Sequence, residues 1–112
     1  MERGQVWWAS LPTPRASEPG YRRPVLIVQA DSFNQSAIQT VVVIALTSNV
    51  RLAHAPGNVL LAKRSTGLPE TSVANVSRIL TLDKSMLVAK AGALSPDVLQ
   101  KVDAGLKLVL QV

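Results

Sequence analysis

Short apolar runs, separated by polar stretches, recur along most of the chain. In the first run Val6 and Trp8 fall on one side and Trp7 on the other, as alternate residues of a strand do. The tryptophans suit core packing, with base stacking as the alternative. Apolar runs of this length that are bounded by turn residues are typical of β-strands. The pattern predicts strands at residues 4–10, 22–30, 40–47, 59–62 and 88–94, and one strand or a pair at 72–76 and 79–82.

The last segment has a helical period instead. Ser95 suits the N-cap, Pro96 the first helical position and Asp97 the positive end of the helix dipole. One apolar stripe follows: Leu99, Val102, Leu106, Val109 and Leu110. Two charged pairs are expected on the outer side: Asp97–Lys101 and Asp103–Lys107. Gly105 is expected to weaken this helix by ~1 kcal/mol relative to alanine.

The connections complete the outline of the fold. Residues 11–21 are rich in proline and predict a loop long enough to suggest a working role, with a plain connector as the alternative. Turns are predicted at 31–34, 50–57 and 64–70, and a single helical turn at 83–87. Many short strands and one terminal helix indicate a mainly β fold, a small, partly open barrel closed by the helix. The length predicts a single domain, 1–112.

Composition and charge narrow the possible partners. Hydrophobic residues make up 47% of the chain and aromatic residues only 4%, so the expected core is aliphatic. A net charge of +5 favours an anionic partner, with nucleic acid first, although a basic protein without such a partner is an equal alternative. The absence of cysteine excludes disulfides and thiol chemistry. Without a membrane-length apolar run or a signal-peptide pattern, a cytoplasmic location with no membrane contact is expected.

The motifs of common catalytic sites are absent, since there is no Gly-x-Ser-x-Gly, no P-loop and no Gly-x-Gly-x-x-Gly. One histidine, His54, without cysteines or a carboxylate cluster nearby, gives no basis for a metal site, so neither metal nor cofactor is expected. Arginines, hydroxyls and amides remain. They can hold and polarise a phosphodiester if the substrate carries its own nucleophile, as RNA does in its 2′-hydroxyl.

Two places on the chain suit such chemistry. Arg23 precedes Pro24 and a buried apolar run, so it should lie where a rigid strand begins. A guanidinium there suits phosphate binding, and an ordinary basic residue at a strand end is the alternative. The run at 40–47 ends at Thr47, followed by two more small polar residues, which suit either a substrate contact or a turn cap.

The order and spacing of several blocks resemble the MazF/PemK (Kid) family of toxin endoribonucleases of type II toxin–antitoxin systems. The blocks lie at residues 3–8, 17–18, 23–28, 33–34, 41–48 and 81–84, and the final helix continues the match. The resemblance implies an SH3-like barrel, a homodimer and sequence-specific, metal-independent cleavage of single-stranded RNA. It further implies 2′,3′-cyclic phosphate and 5′-hydroxyl products, and a MazE-like antitoxin whose acidic C-terminal segment covers the active site.

The resemblance also assigns roles to residues. The family's catalytic arginine, the one before proline, falls on Arg23, and its strand-end threonine falls on Thr47. Because arginine stays protonated in proteins, Arg23 is expected to clamp the phosphate and to serve as a proton donor rather than as a base. Thr47 is expected to hydrogen-bond a phosphoryl oxygen. RNA contacts are expected from a further set: Ser17, Glu18, Arg22, Asn75, Ser77 and Arg78.

Two departures from the family pattern matter. Many members have an acidic residue followed by glutamine where this chain has Ser77 and Arg78, which puts a carboxylate base in doubt. His54 could supply a base near neutral pH, but a solvated loop histidine is the ordinary interpretation of its position. Gln5, where the family often has aspartate, is expected to be structural.

Two other functions stay open. CcdB, a gyrase poison with a similar fold, acts by binding a protein, and on that hypothesis the basic face is a docking surface. A cleavage-inactive RNA-binding module is the other alternative, because the expected acidic residue is missing at Ser77.

Overall fold

The computed structural model describes residues 1–11 and 21–112. The predicted proline-rich loop at 11–21 therefore lies almost wholly outside the described residues. The strands are β1 (Gln5–Leu11), β2 (Tyr21–Ile27), β3 (Thr40–Thr47), β4 (Val59–Leu61), β5 (Ser72–Asp83) and β6 (Leu87–Ala93). The helices are α1 (Asp31–Asn34), α2 (Lys63–Thr66) and α3 (Pro96–Leu110), with 3-10 turns at Val50–His54 and Lys84–Met86. No helix in these ranges is long and apolar enough to cross a membrane.

The strands form one antiparallel sheet in the order β4-β5-β3-β2-β1-β6. The sheet curls into a half-barrel, with α3 after the last strand, so the predicted small barrel with a terminal helix is confirmed. The 72–76 and 79–82 runs are one continuous strand rather than a pair. β2 ends at Ile27 and not at residue 30, since the amides of Val28 and Gln29 both donate to the carbonyl of Val42.

Aliphatic side chains pack into two clusters. The first cluster holds Val6, Leu26, Ile44, Leu46, Leu61, Leu68, Ala74, Val76, Leu94 and Val102. The second cluster holds Ala9, Val25, Ile27, Val41, Val43 and Leu82. Neighbouring residues of β2 alternate between the clusters, as the strand period requires. α3 joins the first cluster through Val102, which is fully buried.

Gly105 does more than weaken α3. A Cβ at this position would lie 2.1 Å from the carbonyl oxygen of Gly57, so only glycine allows the helix to approach that turn. Gly57 has φ +82°, a left-handed conformation that glycine adopts without strain. The close packing of α3 on the turn offsets the poor helix propensity that the sequence predicts.

The charged pairs expected along α3 are wrong. Asp103 contacts Arg3 instead of Lys107, with the two guanidinium nitrogens 2.6 and 3.2 Å from its carboxylate oxygens. Arg3 also donates from Nε to the carbonyl of Val28 at 2.9 Å. Asp97 and Lys101 form no salt bridge in the part of the chain that the structure describes. The carboxylate of Asp103 thus ties the start of the chain to the last helix.

Candidate active site

Arg23 and Thr47 line the same cleft, called here the Thr47 cleft. Its lining is formed by Leu11, Arg23, Ala45, Leu46, Thr47, Leu52, Asn75, Arg78 and Leu80. Its volume is about 150 Å³. Leu11 and Leu80 also pack against the second cluster, so the cleft has an apolar wall beneath its polar side chains. Four residues that the sequence assigned to catalysis or RNA contact therefore come together: Arg23, Thr47, Asn75 and Arg78.

An irregularity in β5 brings Asn75 and Arg78 to this cleft. The register with β3 changes from Ile44 opposite Ile79 to Leu46 opposite Ala74, so two steps along β3 span five along β5. Extra residues in one strand bend it and redirect its side chains. Two side chains of opposite parity, Asn75 and Arg78, can therefore line one cleft.

The carboxamide of Asn75 is oriented by its neighbours. Its Oδ1 accepts from Nδ2 of Asn58 at 3.3 Å and from the hydroxyl of Ser77 at 3.1 Å. Asn58 is itself fixed by the backbone, since its Nδ2 donates to the Leu52 carbonyl at 2.8 Å and its Oδ1 accepts from the Val76 amide at 3.0 Å. Asn58 must therefore present an N–H to Asn75, which leaves the Nδ2 donors of Asn75 for the cleft.

Thr47 caps the turn that follows β3. Its Oγ1 accepts the amide N–H of Asn49 at 3.1 Å, and the Asn49 side chain in turn accepts the Arg51 amide at 3.3 Å at the start of the 3-10 turn. The hydroxyl proton of Thr47 stays available as a donor, because this contact uses only the oxygen. The hydrogen bond from the Asn49 amide therefore holds Thr47 at the end of β3 and leaves its hydroxyl able to donate a hydrogen bond.

Arg22 lies on the other side of β2 and not in the Thr47 cleft. Its guanidinium carbon is 5.8 Å from the ring centroid of Trp8, within the range of a cation–π contact. It lines a second cleft of about 160 Å³, called here the Trp8 cleft. The lining of the Trp8 cleft is Trp8, Arg22, Arg23, Pro24, Leu46, Ser48, Leu68, Pro69, Glu70 and Ser72. Arg23 and Leu46 line both clefts, so the two are adjacent.

The remaining predicted residues lie elsewhere. Ser77 is exposed and reaches the Thr47 cleft only through its hydrogen bond to Asn75. His54 is exposed on the 3-10 turn and lines neither cleft. Ser17 and Glu18 lie outside the described residues. Within the described ranges, no group of three or more His, Cys, Asp or Glu side chains is placed to hold a metal ion.

Two residues of these sites were not found by sequence reasoning. Asn58 stands in a polar loop, and its importance depends on which backbone groups lie beside it. Glu70 was assigned to a turn cluster, and only the folded sheet brings it near Trp8. Neither position has a local motif that could have indicated it.

Comparison with known proteins agrees with this picture. The family model described as the PemK-like, MazF-like toxin of type II toxin–antitoxin systems matches residues 2–110. Endoribonuclease MazF2 of Mycobacterium bovis and endoribonuclease MazF6 of Mycobacterium tuberculosis are each 42% identical over 112 residues, covering 100% of this chain and 98% of theirs.

A solved structure gives the same relationship. It is an endoribonuclease in complex with its cognate antitoxin from a mycobacterial species, 28% identical, with a TM-score of 0.83 over 100% of this chain and 96% of that one. The resemblance inferred from the sequence blocks is therefore confirmed, and the relatives favour an endoribonuclease over a gyrase inhibitor. The chain belongs to the PemK/MazF family and is a toxin endoribonuclease of a toxin–antitoxin system.

Proposed function

We propose that this enzyme cuts single-stranded RNA at specific sequences by attack of the RNA's own 2′-hydroxyl, without a metal ion. The 2′-oxygen bonds to phosphorus as the bond to the 5′-oxygen breaks, leaving a 2′,3′-cyclic phosphate and a 5′-hydroxyl. The observation that supports this most directly is the set of donors in the Thr47 cleft. A guanidinium, a hydroxyl and a carboxamide N–H₂ meet there above an apolar wall.

The donors suit an anionic transition state. Arg23 is assigned to clamp the scissile phosphate and to donate hydrogen bonds to the leaving 5′-oxygen, which takes its proton from solvent water as the bond to phosphorus breaks. Thr47 donates a hydrogen bond from its hydroxyl to one phosphoryl oxygen, and Asn75 donates one from Nδ2 to the phosphate or to an adjacent 2′-oxygen. Preplaced donors of this kind stabilise the charge that develops in the reaction, and each is worth on the order of 10²-fold or more in rate.

No described lining residue of the Thr47 cleft is a carboxylate or a histidine. The proposed mechanism therefore assigns the 2′-hydroxyl proton to solvent water and makes in-line positioning the main duty of the protein. Arg78, exposed at the rim, adds positive charge for the RNA backbone. Ser77 is assigned to hold Asn75 rather than to touch RNA.

The partners follow from the same reasoning. We propose an antitoxin of MazE type with an acidic segment that covers the clefts, because a mycobacterial relative is solved with its cognate antitoxin and this chain carries a net charge of +5. We also propose a homodimer in the cytoplasm. Apolar side chains exposed near the end of α3, among them Leu108 at 62% and Leu110 at 53%, suit a protein–protein contact.

The experiment compares purified wild-type protein with Arg23→Ala on a single-stranded RNA of mixed sequence in EDTA. Wild-type protein is expected to cut it and leave cyclic-phosphate ends, and a 2′-deoxy nucleotide at the cut site is expected to block cleavage. Arg23→Ala should lose at least about 10²-fold in kcat, and its melting temperature is measured so that rates are compared for folded protein. Arg64→Ala, an exposed arginine on α2 that lines neither cleft, is the matched control. Equal cleavage of the deoxy substrate would refute the mechanism.

A further inference from the structure

The Trp8 cleft has a lining suited to a flat aromatic ligand. Trp8, Leu46 and Leu68 provide apolar surface that continues into the first cluster. Arg22, Ser48 and Glu70 provide polar groups on the same cleft. Sites for small aromatic groups combine apolar walls with a few placed polar side chains in this way.

The Trp8 cleft has three charged lining residues, Arg22, Arg23 and Glu70, and Arg22 does not neutralise Glu70. Arg22 lies over the ring of Trp8, and among the described residues it forms no salt bridge with Glu70. The carboxylate of Glu70 makes no hydrogen bond with the described residues, and only its backbone carbonyl is used, by the Ser72 hydroxyl at 3.2 Å. The cleft therefore presents a carboxylate acceptor together with a guanidinium held over an indole ring.

A carboxylate at this position disfavours the binding of a phosphate but favours the binding of a nucleobase. An ionised carboxylate only accepts hydrogen bonds, so it would repel an RNA phosphate. Arg23 lines both clefts, so a phosphate held by Arg23 places the adjoining nucleoside at the Trp8 cleft. Proteins read single-stranded RNA by stacking bases on aromatic or arginine planes and hydrogen-bonding their Watson–Crick edges.

Resting on the proposed RNA cleavage, we propose that the Trp8 cleft binds the nucleobase next to the scissile phosphate and selects guanine through Glu70. Guanine offers two adjacent donors, N1–H and N2–H, to the two carboxylate oxygens. Adenine and cytosine place an acceptor nitrogen beside their amino group, and uracil flanks its one N–H with two carbonyl oxygens. Stacking on Trp8 and Arg22 supplies binding that does not depend on the base.

The test measures nucleotide binding separately from cleavage. The chain has two tryptophans, so its proton NMR spectrum has two indole N–H signals. The signal that remains in Trp7→Phe is that of Trp8. Guanosine 5′-monophosphate is expected to shift the Trp8 signal at concentrations about tenfold below those needed for uridine 5′-monophosphate, the discrimination of one bidentate contact. Glu70→Gln should abolish that ratio, and Glu2→Gln, another exposed glutamate, should keep it.

Cleavage is then scored on RNAs that differ only in the bases flanking the cut site. Wild-type protein should prefer guanine at one of these positions by about tenfold. Glu70→Gln should lose that preference, and Glu2→Gln should keep it. The guanine site alone is overturned if the protein cleaves RNA but the Trp8 indole responds equally to both nucleotides. It is also overturned if the protein cleaves RNA and Glu70→Gln keeps the wild-type ratio of the two nucleotide concentrations. A selective indole response without any RNA cleavage supports the site and overturns the proposed reaction. No response and no cleavage overturn both.

Discussion

Asn58 gives the sharpest test of how the Thr47 cleft is held together. Its side chain makes three hydrogen bonds: to the Leu52 carbonyl, to the Asn75 side chain and from the amide of Val76, a residue with no exposed surface. In Asn58→Ala the buried Val76 amide loses its acceptor, which costs about 1–3 kcal/mol, and the other two bonds contribute about 0.5–1.5 kcal/mol each. We expect a loss of about 3 kcal/mol in unfolding free energy, equal to roughly 15 °C in melting temperature.

The same substitution should impair catalysis beyond its effect on folding. Asn75 would keep only the Ser77 hydroxyl on its Oδ1, so its Nδ2 would point into the cleft for a smaller fraction of the time. We expect kcat to fall about tenfold, equivalent to about 1.4 kcal/mol of transition-state stabilisation, with a smaller change in KM. The assay is RNA cleavage at a temperature well below the melting transition of the variant, with the folded fraction measured by circular dichroism.

Ser77→Ala separates positioning from stability. Ser77 is exposed, so its loss should change unfolding free energy by less than about 0.5 kcal/mol, while it removes the second donor to Asn75. Its kcat should fall in the same direction as that of Asn58→Ala, and the two effects should be non-additive. Full activity in Ser77→Ala and in folded Asn58→Ala would refute the conclusion that the orientation of Asn75 matters.

Three further predictions concern single groups. Thr47→Ser should keep the hydroxyl and most of the cleavage rate, whereas Thr47→Val should lose about 10²-fold in kcat, measured by single-turnover kinetics. Gly105→Ala should lower unfolding free energy in denaturant by about 1–3 kcal/mol despite better helix propensity, because its Cβ would lie 2.1 Å from the Gly57 carbonyl. The Arg3 amide, donating to Asp31 at 2.7 Å, is the largest cause that lowers the pKa of that carboxyl below its ordinary value of 3.8. This stabilisation is present above pH 3.8 and is lost as the pH falls through the lowered pKa, so the melting temperatures of wild type and Asp31→Asn should converge in acid.

The sequence predicted the limits of a strand or helix correctly where the residues at its ends mark them. β3 was predicted at its observed limits because its apolar run ends abruptly in polar residues. The start of α3 followed from Ser95, whose hydroxyl accepts the Val98 amide as an N-cap should. The family blocks implied that Arg23 and Thr47 belong to one site. Placing them together required only that the strand ends that carry them lie on neighbouring strands.

Long-range geometry could not be obtained in the same way. The choice of Arg3 as the partner of Asp103 joins residues 100 positions apart, while the pattern along α3 suggested Lys107. The place of Asn75 in the cleft depends on the register change between β3 and β5. The apolar pattern breaks at residues 77–78, but that break alone did not distinguish a register change within one strand from a pair of strands. Both features depend on which surfaces pack together, and neighbouring residues on the chain do not encode that.

The turn at Gly57 and Asn58 contacts both the last helix and the Thr47 cleft. Gly57 is pressed against Gly105 of α3, and the very next residue holds the carboxamide of Asn75. Gly57 and Asn58 are consecutive residues, so the contact of α3 with Gly57 lies one residue from the side chain that orients Asn75. The packing of the last helix and the arrangement of the Thr47 cleft therefore depend on the same two-residue turn.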